Sequence, residues 1–390
     1  MLRGGKALLV LGLLLLLQLT VDPNHYVSRV LLLSCFSVML AVSLNIINGY
    51  AGQFSIGHAG FYAVGAYTGA SLSHFGREWM EASLGLASFP AWLADSAVLL
   101  AAVVAGSVAA AVAGLIVGLP SLRLRGDYLA IATLGFGELI RVIFINIDRV
   151  GGARGFSIAP INSIFWIGLF TVGIVWLSRN LLNSRQGRAL QALRDDETAA
   201  SVLGINITSY KVMAFVLSAA MAGCAGALYA HFDGYLQPDS FNFIRSIEII
   251  IMVVLGGLGS TTGAVIAAVV LTVLPETLRE FADYRMVIYS ALLVICMLVR
   301  PQGLLGTSEF SWASLRSRGK ETGGGSPWHL PHVPEHPPVR VAHGARQRAH
   351  RLAPALAADP CRCAVLGGTA AGWRERAALT GRISPGNARH

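Results

Sequence analysis

The sequence predicts an all-α fold, a polytopic transmembrane helical bundle with glycine-interrupted helices and a disordered C-terminal tail. Three observations carry that expectation. Hydrophobic residues fill 54% of the 390 positions and charged residues 13%, where a soluble domain carries about 25% charge; mean hydropathy is +0.60. Apolar stretches of the length needed to cross a bilayer recur along the chain. Glycine clusters lie inside two of these stretches rather than between them.

The formal charge of +9 belongs mostly to the tail, because residues 306–390 hold 12 basic and 5 acidic residues. The membrane body is nearly neutral and has no basic stripe interleaved with aromatics, so a nucleic-acid partner is excluded and the bilayer is the expected surround. Cys35, Cys224 and Cys296 stand singly in apolar surroundings as small packing residues. Cys361 and Cys363 have no second pair to complete a zinc site, and no metal is expected.

In chain order the candidate spans are 7–21, 27–47, 55–72, 91–119, 128–147, 161–177, 212–232, 247–273 and 286–299. The first has the basic start and leucine core of a signal peptide but no small-x-small cleavage site, and it reads as an uncleaved helix. Between 179 and 211 lie Arg179, Arg185, Arg188, Arg194 and Lys211 with Asp195, Asp196 and Glu197. That much charge places residues 180–210 in water, on the side where Lys and Arg concentrate. Within it, Ala189, Ala192, Leu193, Ala199, Ala200 and Leu203 recur at roughly helical spacing up to Gly204, which predicts one short amphipathic helix over 188–203. The acidic cluster favours docking on a protein over lying on anionic lipid.

The first glycine-rich stretch, 48–70, carries Gly52, Gln53, Ser55, Gly57 and His58; the second, 255–263, carries Gly256, Gly257, Gly259 and Ser260. Each is read either as close helix packing or as unwound backbone lining a path. A basic tail on the same side as the charged interval requires an even number of crossings between Asp239 and Asp283, so 247–273 is expected to be two short half-spans hinged at GGLGSTTG. Glu138 stands three residues before Arg141, and Glu248 three after Arg245. Ion pairing on one helix and path lining are both open to these acids.

Residues 306–390 are crowded with Pro, Arg, His and Gly and have no apolar periodicity, which predicts a disordered tail beyond a permease domain of 1–305. A frame-shifted reading of a GC-rich gene gives the same composition, and resequencing the locus decides between them.

The pattern E-x-A-A-x3-G at Glu197, Ala199, Ala200 and Gly204 resembles the loop by which ABC-importer permeases grip their ATPase. Segments 44–67, 126–141, 187–206, 252–268 and 300–306, in that order, resemble the LivM-type permeases of branched-chain amino acid ABC importers across residues 27–306. The resemblance implies a multi-pass inner-membrane subunit paired with a LivH-like permease, two ATPase subunits and a periplasmic substrate-binding protein. Substrates of that resemblance extend from branched-chain amino acids to urea and short amides. No G-x4-G-K-[ST] occurs, so this chain is not expected to be an enzyme or to bind a cofactor; ATP and Mg belong to the partner. An alternating-access path would meet a zwitterion with amides of both breaks, Gln53, Ser55 and Ser260, and with Glu138 or Glu248 for the ammonium group. A stand-alone secondary transporter or channel is the alternative. An intramembrane transferase using Asp195 and Asp196 for magnesium ranks behind it, having one acidic cluster where diphosphate chemistry uses two.

Overall fold

The computed structural model describes residues 26–77, 90–121, 126–161 and 163–278, with Gln18, Ser290, Val294 and Leu298. The chain separates into units Met1–Ser311 and Trp312–His390, and every described residue belongs to the first. The expected span at 7–21 (Gln18 apart), most of 286–299, Arg123, Arg125, Cys296 and the whole tail lie outside the described residues.

Ten α-helices form the described bundle. Helix α1 (Tyr26–Asn45) is its axis, with every side chain from Phe36 onward buried. It runs into a π-helical turn at Ile46–Tyr50, where the Ala51 amide reaches back to the Ile46 carbonyl at 3.0 Å. The chain is then irregular up to Gly57 before α2 (His58–Phe75) begins. The expected span at 55–72 is therefore displaced by three residues at each end.

Helices α2, α3 (Ala91–Ser121) and α8 (Ile207–Asp233) pack backbone to backbone. A Cβ on Gly65 would stand 2.2 Å from the Gly223 carbonyl oxygen, one on Gly106 2.7 Å from that of Gly65, and one on Gly223 2.6 Å from that of Gly106. Lipid tails give apolar helices no hydrophobic reason to associate, so close packing of small residues supplies the attraction.

Helices α4 (Asp127–Asn146) and α5 (Ile164–Asn183) flank this centre. Residues 147–163 join them and include a strand, β1 (Phe156–Ser157), paired antiparallel with β2 (Tyr235–Leu236) so that Phe156 faces Leu236. On the opposite, charged side α5 turns into α6 (Arg185–Asp195) and α7 (Glu197–Val202), which lead into α8. At the end of the bundle away from α6 and α7, Tyr26 of α1 meets Glu276 and Arg29 meets Asp233, 3.1 Å away.

The expected span 247–273 is two helices, α9 (Phe243–Gly256) and α10 (Thr261–Thr277), hinged at the second glycine cluster. Gly257 and Gly259 adopt φ of +104° and +86°, conformations that only glycine takes at low cost. Gly256 and Gly263 then touch, a Cβ on Gly263 falling 1.9 Å from the Gly256 carbonyl oxygen, so the two helices lie against each other as a hairpin. At 1.5 Å per residue they measure ~21 and ~26 Å, each short of a ~30 Å hydrocarbon core. Among the described residues, five other helices are long and apolar enough to cross a membrane.

Candidate functional site: the water-side segment and the two breaks

The water-side segment folds from local signals. Ser184 caps α6 by accepting from the Gly187 amide at 3.3 Å, and Leu190 and Leu193 are buried beneath it. The single helix expected over 188–203 is instead broken at Asp196. That residue is extended (φ −157°, ψ 111°), and its carboxylate accepts from the Thr198 and Ala199 amides at 2.7 and 3.1 Å. An aspartate satisfies orphan amides better as an N-cap than inside a helix, so apolar periodicity loses to capping here.

Helix α7 closes with a Schellman arrangement. The Ile205 amide donates to the Ala200 carbonyl at 3.1 Å, the Gly204 amide donates to Ser201 at 3.0 Å, and Gly204 takes φ +82°. Glu197 pairs with Lys211 of α8, whose side chain is buried. Ala200 is also buried and faces the bundle, while Arg188, Asp195, Asp196, Ala199 and Gly204 are exposed. Val202 and Leu203 are 83% and 77% exposed at the tip of this charged segment; helical spacing in the sequence picks out Leu203 on the apolar face of one helix and misses Val202 beside it. Two bulky aliphatics directly before a glycine cap in a charged interval were the available signal.

The two glycine-rich breaks meet each other and this segment. Asn45 Oδ1 accepts from the Gly259 amide at 3.0 Å. The approach leaves no room for side chains, since a Cβ on Gly49 would lie 2.5 Å from the Gly259 nitrogen. Arg194, in the last turn of α6, donates from Nη1 to the Gly49 carbonyl at 3.1 Å. A Cβ on Gly52 would meet its Cγ at 2.8 Å, and one on Gly259 its Nη1 at 2.7 Å. Within the first break Asn48 spans the irregular stretch, accepting from the Ser55 amide at 3.1 Å and donating to the Ser55 carbonyl at 3.3 Å.

Farther from Arg194, Gly57 packs on the Thr133 carbonyl, and the Ile56 amide donates to Thr133 Oγ1 at 3.0 Å. His58 is fully buried, with Nε2 2.7 Å from Ser43 Oγ. Gln53 Oε1, Ser55 Oγ and His58 Nδ1 are buried polar atoms with no partner among the described residues. Ser260 serves as the N-cap of α10, accepting from the Gly263 amide at 3.1 Å. Glu138 pairs with Arg141 at 2.8 Å, and Arg141 reaches Asp239 at 2.9 Å. Glu248 pairs with Arg245 at 2.8 Å. A narrow crevice lined by Gly57, Gly60, Gly137, Glu138, Asn242 and Ser246 separates α2, α4 and the start of α9.

Residues 26–298, which take in all ten helices and both breaks, match the family model described as branched-chain amino acid transport system / permease component. The chain belongs to this permease family. It is 37% identical over 335 residues to the high-affinity branched-chain amino acid transport system permease protein LivM of Salmonella typhimurium, covering 76% of this chain and 74% of that one. To a probable LivM permease of Methanocaldococcus jannaschii it is 26% identical over 322 residues, 72% of this chain and 93% of the relative. The LivH permease of Salmonella typhimurium is also similar, at 35% identity over 164 residues, 41% of this chain and 53% of LivH. No solved structure matches the chain at a significant level. As a LivM-type permease it is a multi-pass membrane transport protein.

Proposed function

We propose that this permease is one membrane half of an ATP-driven importer that moves branched-chain amino acids across the bacterial inner membrane by alternating access. A LivH-like chain is the other half, a periplasmic binding protein delivers the solute, and two separate ATPase subunits hydrolyse Mg-ATP. The observation that carries the reading is the water-side segment. It is capped at Ser184 and Asp196, pinned through Glu197 and Lys211, and folded so that Val202 and Leu203 project outward. Adjacent exposed aliphatics on a charged segment mark a surface for a protein partner.

For the solute, the unpartnered atoms of Gln53, Ser55 and His58 support a path at the first break. Buried polar atoms require partners, and water or a passing zwitterion provides them. Glu138 and Glu248 are half-exposed carboxylates already balanced by arginine, which suits weak, transient ammonium binding over tight capture.

The test is co-purification of the full chain in detergent from its host, followed by uptake in proteoliposomes. Wild type should bring down an ATPase and a second permease and import leucine only with ATP. Val202→Asp with Leu203→Asp should lose the ATPase and keep the second permease. Import by this chain alone without ATP would replace the proposal with a secondary transporter.

A further inference from the structure

Arg194 occupies a position that no docking role requires. Its guanidinium points back into the bundle, where it donates to the Gly49 carbonyl, while Nε and Nη2 both reach Asp195 Oδ1 at 3.3 Å. Asn45 and Gly259 join the two breaks directly beside it. The π-helical turn that ends the α1 run and the C-terminus of α9 therefore converge on one cation. Helix C-termini carry partial negative charge and unsatisfied carbonyls, so a guanidinium there is favoured by both. A planar fork can hold a carbonyl on one edge and a carboxylate on the other, which an ammonium cannot.

We propose that Arg194 is a positioning residue that clamps both glycine-rich breaks to the water-side helix, so that displacement of α6 moves them as one unit. This rests on the importer reading given above. The glycines make the clamp possible: Gly52 and Gly259 let the side chain lie flat on both backbones, at 2.8 and 2.7 Å from where their Cβ atoms would be. The clamp turns two separate bends, more than two hundred residues apart in sequence, into one two-state element. Such an element is what carries a motion from one site to another.

The experiment uses the complete reconstituted importer. Arg194→Gln should retain assembly and ATP hydrolysis while solute imported per ATP falls roughly tenfold, within the usual range of coupling between sites. Arg194→Lys, which keeps a donor for Gly49, should recover part of that ratio. A ratio within about twofold of wild type in Arg194→Gln overturns the clamp. Hydrogen exchange on wild type provides a reading that does not depend on the variant folding: Mg-ATP should change protection of 46–57 and 256–263 together. A response confined to one segment overturns the clamp as well. Wild-type transport without ATP would instead overturn the importer reading, before Arg194 enters.

Discussion

Asn45 Oδ1 accepts the Gly259 amide at 3.0 Å, so one side chain at the end of α1 satisfies the backbone of the α9–α10 hinge. Gly259 lies in the hinge after α9, where helix geometry supplies no acceptor for its amide. Asn45→Leu keeps the volume roughly constant and strands that amide. Stranding this half-buried donor costs at most about 1–3 kcal/mol, offset in part by removing Asn45 Nδ2, a buried atom with no partner among the described residues, so a modest fall in the thermal midpoint of the detergent-solubilised protein is expected. An unchanged midpoint would mean that water replaces Asn45.

The glycine junction of α2, α3 and α8 makes a paired prediction. Gly65→Ala places a methyl group 2.2 Å from the Gly223 carbonyl oxygen and must push α2 off α8. Overpacking of this kind costs about 1–3 kcal/mol, to be read as a lowered melting point and yield. Gly173→Ala on α5 is the control, because no described atom lies within 4 Å of that Cβ and the backbone is helical. It should be neutral or stabilising by up to ~1 kcal/mol, the helix-propensity difference.

Five of the helices were legible because each is an apolar run of bilayer length, and the α9–α10 hinge was legible from charge parity together with the glycine cluster GGLGSTTG. Pattern reasoning failed where a single polar residue chose between structures. Asp196 interrupts the apolar periodicity of 188–203 by capping α7, and its carboxylate cannot be weighed against periodicity without the geometry. The inward turn of Ala200 was hidden for the same reason, since one helix and two helices point it in different directions. Arg194 read as one more surface charge because its acceptor, Gly49, is 145 residues away. The pairings Glu138–Arg141 and Arg245–Glu248 were visible, being local i, i+3 pairs.

Glu197 and Lys211 hold α7 against α8, and the lysine is the buried partner. Glu197→Gln leaves that ammonium without its counter-charge, and breaking one side of a buried pair is more costly than never having had it. Limited trypsin digestion should then cut the 185–211 segment faster than in wild type, while the melting point of the bundle changes little. The double exchange Glu197→Lys with Lys211→Glu should restore part of the protection. Equal cleavage of wild type and Glu197→Gln would show that the caps at Asp196 and Gly204 hold α7 without the ion pair.

Ser55 separates a packing role from a transport role. Its hydroxyl is fully buried and has no partner among the described residues, whereas its backbone is already satisfied by Asn48. Ser55→Ala therefore removes an unpaired polar atom and keeps the backbone bridge. Deleting a buried hydroxyl that has no partner is neutral or stabilising for the fold. If water or a passing solute completes Ser55 during transport, uptake by the reconstituted importer falls while the melting point holds or rises. His58→Asn is the companion: it retains a polar group near Ser43 but withdraws the Nδ1 face, and should lower uptake with a modest loss of stability. Stability and uptake falling in parallel for both variants would assign these residues to packing, and full uptake by both would remove the first break from the path.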